Sequence, residues 1–390
     1  MKYHLVINNY CNLDCKYCSQ MAFDEKINSN YESIPKINID ENVPSKLKIS
    51  IPEIIEFLRK DNDSPENKWL IFYGGEPLLS TKEIEEIIER IDFPINYAMQ
   101  TNGTLLDKIS TEKLNKIKTI LVSIDGQKEN TDHFRGIGTY QKIINNLKFI
   151  TKNGYSGNII ARMTIMEPTD IYKEVIFLLN NPEFKFKEIH WQLNANFYPD
   201  FEFRNWEKWI KENYIPGIEK LIDYWIEEMK NGKVIKLYPF LGIINRIFEL
   251  EEGTYEFETN KCYLPCGSGF ANYSIQTDGK IIPCPIMVGM KDFYLGEVND
   301  TPDVIKKKQI RPSGKCQTCD ILKICGGRCL YSNLTNPWKE KEFELLCQIT
   351  RKTIEKLETK IPEIKKLIKE GKIKRKDFDF EKYIGPEIIP

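Results

Sequence analysis

Cys11, Cys15 and Cys18 fall in the run Asn9-Tyr10-Cys11-Asn12-Leu13-Asp14-Cys15-Lys16-Tyr17-Cys18, directly behind the apolar stretch Leu5–Ile7. Three thiolates at C-x3-C-x2-C are one short of a closed metal site. A structural zinc ion takes four ligands, and an iron–sulfur cubane normally takes four cysteines. A cubane held by three keeps one iron open to a small molecule. Eight more cysteines lie far down the chain: Cys262-x3-Cys266, Cys284, Cys316-x2-Cys319-x5-Cys325-x3-Cys329, and Cys347 after 17 further residues. None lies between 19 and 261, a gap that a disulfide framework rarely leaves. All eleven therefore read as metal ligands in a reducing compartment. His4, His133 and His190 are too few and too scattered to build a histidine metal site.

Such ligands need elements to position them. Over the first 200 residues short β-rich runs alternate with helical patterns, the habit of repeated βα units around a parallel sheet. Strands are expected near Tyr3–Asn8, Trp69–Tyr73, Asn96–Gln100, Thr119–Ile124, Asn158–Ile165 and Glu188–Asn194. Helices are expected over Pro52–Lys60, Thr81–Ile91, Thr111–Ile117, Tyr140–Thr151 and Asp170–Leu179. Six strands fall short of a closed eight-stranded barrel. Polar and glycine-rich residues follow the strands, where an α/β barrel presents its active-site loops. In Tyr73-Gly74-Gly75-Glu76-Pro77 the glycines let backbone approach a ligand closely, and the carboxylate can accept from an ammonium group. Gln100-Thr101-Asn102-Gly103 follows the third strand, Ser123-Ile124-Asp125-Gly126 closes the fourth, Arg135 comes shortly after, and Arg162 lies on the fifth. Each alone could be a strand-capping turn or a surface salt bridge.

Residues 202–250 read as helices broken at Pro216-Gly217, with Trp206, Trp209, Tyr214, Tyr224 and Trp225 close together. Helical spacing makes them an amphipathic pair packed on the sheet; a share in a substrate groove is the other possibility. Within 262–347 a hairpin, Tyr273–Gln276 and Lys280–Pro283, turns over Thr277-Asp278-Gly279, and the rest is loop-rich with little core of its own. A helix over 338–360 stops near Pro362, and the basic run after it is a solvated face. A chain of 390 residues, 41% hydrophobic and with net charge −1, suits a soluble globular protein of two or three units. Nothing in that balance calls for nucleic acid or an anionic membrane. No apolar stretch approaches the roughly 20 residues of a membrane helix. Met1-Lys2-Tyr3-His4 runs straight into the first strand and leaves no room for a signal peptide, so a cytoplasmic location is expected.

With C-x3-C-x2-C after the first strand and Gly-Gly-Glu after the second, the chain resembles the radical S-adenosylmethionine (radical SAM) enzymes. That resemblance implies a partial (β/α)6 TIM-type barrel. It implies a [4Fe–4S] cluster on Cys11, Cys15 and Cys18, whose open iron is chelated by the amino and carboxylate groups of S-adenosylmethionine (SAM). Electron transfer from the reduced cluster then gives methionine and a 5′-deoxyadenosyl radical, which takes hydrogen from unactivated carbon. Gly74, Gly75 and Glu76 would bind the amino group of SAM, Ser123 its ribose and Arg135 its carboxylate, with Arg162 competing for the last role. Asn102 and Asp125 join them as cofactor-binding residues at the strand ends. The eight later cysteines resemble the SPASM domain, whose pattern includes C-x2-C-x5-C-x3-C. By analogy Cys262, Cys266, Cys284 and Cys329 hold one auxiliary [4Fe–4S] cluster and Cys316, Cys319, Cys325 and Cys347 a second. Structural zinc is the competing reading of that array. The implied organisation is a barrel over 1–200, a helical bridge over 201–260, a SPASM domain over 261–350 and a C-terminal helix and tail over 351–390.

The same pair of domains occurs in enzymes that modify peptides or proteins, among them thioether-forming maturases and sulfatase-maturating enzymes. The latter carry an aspartate base directly after the cysteine that follows the G-x4 spacer. Here Pro285 stands at that position, so formylglycine formation on that template is not expected. Asp292 and Asp320 are the substitutes in the neighbourhood, with nothing in the sequence to favour either, and no catalytic acid or base is assigned. The segment Ile324-Cys325-Gly326-Gly327-Arg328-Cys329-Leu330-Tyr331 most resembles archaeal members grouped with peptide modifiers. The expected partners are a peptide or protein substrate, a reducing donor such as ferredoxin or flavodoxin, and either a separate leader-peptide-binding protein or another recognition surface in its place. One alternative is a radical SAM enzyme acting on a small molecule or cofactor precursor. Another is a non-catalytic metal-binding or electron-carrying protein, against which Gly74–Glu76 argues.

Overall fold

A computed structural model describes residues 1–18, 37–195, 204–254, 264–336 and 340–385; Cys262 lies outside them. The apolar run Leu5–Ile7 forms the centre of β1 (Lys2–Asn8), every residue of which is buried. Five strands follow it in parallel and in chain order: β2 (Trp69–Gly74), β3 (Asn96–Thr101), β4 (Ile117–Ser123), β5 (Asn158–Ile165) and β6 (Glu188–Leu193). Runs such as Trp69-Leu70-Ile71-Phe72 have no solvent face, as parallel strands covered on both sides require. Helices α1 (Ile51–Arg59), α2 (Thr81–Arg90), α3 (Thr111–Leu114), α4 (Lys128–Arg135), α5 (Thr139–Lys152) and α6 (Ile171–Asn180) connect them. The chain thus adopts the expected α/β architecture on a parallel sheet.

Two additions lengthen that sheet. β7 (Lys236–Leu237) pairs with β6, and β8 (Asn272–Ile275), from the cysteine-rich part, pairs in parallel with β1. β8 turns into β9 (Lys280–Ile282), the expected hairpin, and β10 (Gly296–Glu297) follows. The ladder stays open, with β10 and β7 as its edges.

Alternation along the strands decides what faces inward. Trp69, Ile71, Ala98, Leu121 and Ile160 form one cluster with Tyr238, Ile384 and the half-buried Phe380. A Cβ on Gly385 would stand 2.6 Å from Leu121. The C-terminal tail therefore fills this end of the barrel. Two residues further along the same strands, on the same face, come Tyr73, Gln100, Ser123 and Arg162, which line a cavity instead.

Several expected boundaries shift, each for a visible reason. α3 ends at Leu114, because Ile117 is buried and already paired with Tyr97 of β3. α4 carries no apolar stripe in Lys-Glu-Asn-Thr-Asp-His-Phe-Arg and was not expected; only Thr131, Phe134 and Arg135 of it are buried. Pro216-Gly217 does not break a helix. Pro216 begins α7 (Ile215–Lys230) directly after a π turn over Ile210–Tyr214; Tyr214 is already helical (φ −68°, ψ −52°), so the helix runs on, and the widened turn lies where proline's missing amide would interrupt an α-helix. Gly217 faces Ile171, 2.7 Å from where its Cβ would stand, so α7 packs close on α6. α8 (Tyr238–Glu251) and α9 (Glu340–Lys369) complete the helical layer. α9 runs through Pro362 rather than stopping there. Burial of Ile361, Ile364 and Leu367, at about 1.5–3 kcal/mol each, outweighs the roughly 3 kcal/mol of an interior proline. Trp206, Trp209, Tyr214 and Trp225 are buried core, the packing role their spacing suggests.

Candidate active site and cysteine centres

The C-terminal ends of the six parallel strands meet at a cavity of about 730 Å³. Tyr73, Gln100, Ser123, Arg162 and Gln192 line it from the strands, with Thr164 and Asn194 one step further out. Cys11, Cys15 and Cys18 open onto the same space, beside Gly74, Gly75 and Asn102. Two segments that pair with each other complete the lining: Ile39, Asp40, Glu41 and Val43, and Pro285, Ile286 and Val288, joined by the Ile39–Met290 bridge and the Asp40 amide donating to Gly289. The cysteine-rich part of the chain thus closes over the end of the barrel.

Backbone packing, more than ligand contact, accounts for the two glycines. A Cβ on Gly74 would lie 2.3 Å from the Asn8 carbonyl oxygen, and one on Gly75 would lie 2.2 Å from that of Tyr10. Only glycines let this turn press against residues 8–10, where the Gly75 and Glu76 amides donate to Asn8 and Tyr10 (3.1 and 2.9 Å). The start of the cysteine loop is pinned as a result. The Glu76 carboxylate, expected to meet a ligand, is wholly buried and does not line the cavity. It accepts from the Leu78 amide (3.0 Å), the Thr101 hydroxyl (2.6 Å) and the Asn102 amide (2.7 Å). Burial pushes its pKa up to about 7 against those three donors. What the turn offers a ligand is therefore Gly74 and Gly75.

Asp125 likewise stands behind the cavity wall, fully buried. Its carboxylate takes a fork from Arg135 (2.7 and 2.9 Å), the Tyr17 hydroxyl (2.5 Å) and the Thr164 amide (3.0 Å). These bonds tie the cysteine loop to β5 and α4. Arg135 lines the cavity, but its charge is matched by Asp125 and its guanidinium lies over the Tyr17 ring. Arg162 reaches the cavity from β5 and donates to Gln192. Asn102 reaches toward Cys11 Sγ (3.7 Å) and donates to Asn12 (2.9 Å), bracing the loop from β3. Cys15 is pushed up to about 12 by burial, against the pull of Arg135, and the fields of Cys18 and Cys11 act on it. Cations brought among these thiols would offset that cost.

Seven of the eight later cysteines are described, and they fall into two neighbourhoods. Cys266, Cys284 and Cys329 pack with Leu264, Ile282, Met287, Met290, Leu330 and Tyr331. Cys284 is raised by burial and by the fields of Cys329 and Cys266. Cys316, Cys319, Cys325 and Cys347 form the other: Cys347 acts on Cys316 and Cys325, and Cys319 on Cys316 and Cys347. These are the sets paired by analogy from the sequence, apart from Cys262. Among the described residues, no three Cys, His, Asp or Glu side chains come close enough to hold a single metal ion.

Several cavity residues escaped sequence reasoning. Tyr73, Thr164, Gln192 and Asn194 sit at inward positions that strand alternation could have marked once Ser123 and Arg162 were placed. Asp40 and Glu41 gave no such signal. Neither considered substitute base lines the cavity: Asp292 accepts from the Asn38 amide, and Asp320 forms an exposed fork with Arg351.

Residues 5–179 match the model of the Radical SAM superfamily. An "Uncharacterized protein" of Archaeoglobus fulgidus is 28% identical over 67% of this chain, which spans 62% of that protein's length. The cysteine-type anaerobic sulfatase-maturating enzyme of Clostridium perfringens is 23% identical, over 87% of this chain and 90% of the enzyme. The AdoMet-dependent heme synthase of Methanosarcina barkeri is 26% identical, over 66% and 76%. The solved structure of native anSMEcpe with bound AdoMet and Cp18Cys peptide superposes with a TM-score of 0.64 at 20% identity, over 95% of this chain and 99% of that one. The fold is shared.

Proposed function

We propose that this chain, whose residues 5–179 match the Radical SAM superfamily model, is a radical SAM enzyme that cleaves SAM reductively and modifies a peptide or protein. One observation carries the proposal: the thiols of C-x3-C-x2-C open onto the cavity built by the strand ends. A [4Fe–4S] cluster on Cys11, Cys15 and Cys18, with SAM on its open iron, would supply a 5′-deoxyadenosyl radical able to take hydrogen from unactivated carbon. The chain's own residues orient that chemistry. Asn102, Tyr17 and the Asp125–Arg135 fork fix the thiol loop. Gly74, Gly75 and Ser123 face the ligand, and Arg162 is the better-placed cation for its carboxylate, since Arg135 is spent on Asp125. Ile39, Val43, Ile286 and Val288 supply an apolar rim that would keep water from a radical.

Two further [4Fe–4S] clusters belong to this proposal, on Cys262, Cys266, Cys284 and Cys329 and on Cys316, Cys319, Cys325 and Cys347. So do a one-electron donor such as ferredoxin or flavodoxin, a separate leader-binding partner, and a reducing, cytoplasmic setting for the thiols. A peptide substrate is supported by anSMEcpe, whose fold this chain shares and which holds a peptide. A small-molecule substrate is the second reading, favoured by the similarity to heme synthases and by a cavity within the usual range for compact ligands. Anaerobic purification with iron counting and a SAM-cleavage assay is the test; about twelve irons per chain would fit three cubanes. Zinc without iron, or no cleavage, would overturn the proposal. Proteome mass spectrometry with and without the gene then decides between the substrates: a peptide of changed mass supports the first, and an unchanged peptide set with an altered small molecule supports the second.

A further inference from the structure

Asn333 lies on the short helix Leu330–Thr335, one turn beyond Cys329 of the inner cysteine neighbourhood, whose carbonyl accepts from the Asn333 backbone amide (2.9 Å). Its side chain reaches the outer neighbourhood instead. Oδ1 accepts from the Ser313 amide (2.6 Å), and Nδ2 donates to the Ser313 carbonyl (3.3 Å). Those two bonds fix which end of the side-chain amide is which. They also leave Nδ2 with a second proton to give. That proton meets Cys316 Sγ, with Nδ2 at 3.2 Å. Pairing with Ser313 would by itself hold the loop, so the contact with sulfur is additional to it. The inner neighbourhood has a counterpart: the Ser268 hydroxyl, 1% exposed, stands 3.1 Å from Cys266 Sγ. A metal-bound thiolate carries no proton and can only accept, so the amide or hydroxyl beside it must be the donor. At the barrel the corresponding contact is longer, 3.7 Å from Asn102 Nδ2 to Cys11 Sγ.

We propose that Asn333 sets the reduction potential of the cluster on Cys316, Cys319, Cys325 and Cys347, raising it through the hydrogen bond to Cys316. This rests on the cluster assignment of the preceding subsection. One-electron reduction adds a negative charge that the ligating sulfurs share. A donor to such a sulfur bonds the more negative state more strongly, and hydrogen bonds to the sulfurs are among the levers that set cluster potentials. Asn333 is a positioning residue: it touches a ligand and acts on the cluster through it.

The test is a redox titration of the full-length, anaerobically reconstituted protein, following the EPR signal of each cluster and counting iron and sulfide. Asn333→Ala removes the donor. Asn333→Asp keeps the shape and the acceptor for the Ser313 amide, but turns an anion toward the sulfur. In Asn333→Ala the outer cluster's one-electron equilibrium should move about tenfold toward the oxidised form, which is 59 mV, and in Asn333→Asp further still. The other two midpoints should stay in place in both variants. Ser268→Ala should do the reverse, lowering the inner midpoint and leaving the outer one alone. An outer midpoint that moves by less than about twofold in Asn333→Ala, with about twelve irons retained, overturns the role of Asn333 alone. Loss of about four irons from both Asn333 variants also overturns it, making the residue a clamp for the loop at Ser313. A wild-type protein with only about four irons overturns the cluster assignment itself, and this proposal with it.

Discussion

The two cysteine regions are held in opposite ways. At the barrel the sheet does the holding: Gly74 and Gly75 press on residues 8–10, Asn102 braces Cys11, and Asp125 ties Tyr17 to two strands. The thiols there hang from a structure that stands without them, and they can leave one side open. In the C-terminal part three of the nine buried residues of the local core are cysteines, so the thiols occupy the place of a core. A segment built that way gains its stability from what the thiols bind. On the proposed cluster assignment, the open site would sit where the scaffold is strongest and the closed sites where it is weakest.

The largest effect that would sharpen this contrast is catalytic. Cys15→Ser should bring SAM cleavage to background while moving the melting temperature by no more than a few degrees, whereas Cys284→Ser should lower it clearly. Equal melting shifts would erase the distinction. Next comes removal of iron by a chelator under anaerobic conditions, followed by hydrogen exchange. Amides over 264–336 should lose protection first while β1–β6 keep theirs; a single concerted loss would break the comparison.

Smaller effects probe the barrel side. Asp125→Asn leaves the buried Arg135 without its counter-ion, which should cost about 3–5 kcal/mol in denaturant unfolding. A loss below about 1 kcal/mol, the range of a surface pair, would show that the fork is not what anchors the loop. Glu76 gives the smallest, and a signed, effect. Its folded pKa of about 7 lies above the ordinary 4.5, so its contribution is complete below the lower value and is lost as pH rises through the upper one. The stability of wild type relative to Glu76→Gln should fall by at most about 3 kcal/mol between pH 4.5 and 8. A flat difference would mean that Thr101, Asn102 and Leu78 hold the carboxylate ionised throughout.

Much of the barrel was legible because parallel strands buried on both faces must be apolar runs, and Leu5–Ile7 and Trp69–Phe72 stand out as such. The neighbourhoods of the later cysteines were legible from spacing matched to a family pattern. What failed was direction. Glu76 has the side chain for binding an ammonium, but nothing local says that Leu78, Thr101 and Asn102 will claim it. Asp125 and Arg135 lie ten positions apart and gave no sign that they answer each other across α4. Proline was misjudged twice: Pro216 follows a π turn that accommodates it within a continuous helix, and Pro362 sits on a helix whose buried face outweighs it. Tyr73 and Gln192 needed only the parity of their strands.

The tail that fills the barrel's far end has a consequence for biosynthesis. Ile384 joins Trp69, Ile71, Ala98, Leu121 and Ile160 in a single cluster, so the base of the barrel is completed by residues translated well after β6. With synthesis at about 5–20 residues per second, the six strands wait on the order of ten to forty seconds for that base. Until then the inner faces of Trp69 and Leu121 are exposed to water and to other nascent chains. A chain truncated within α9 would keep the cysteine-rich part at one end of the barrel and leave the base open.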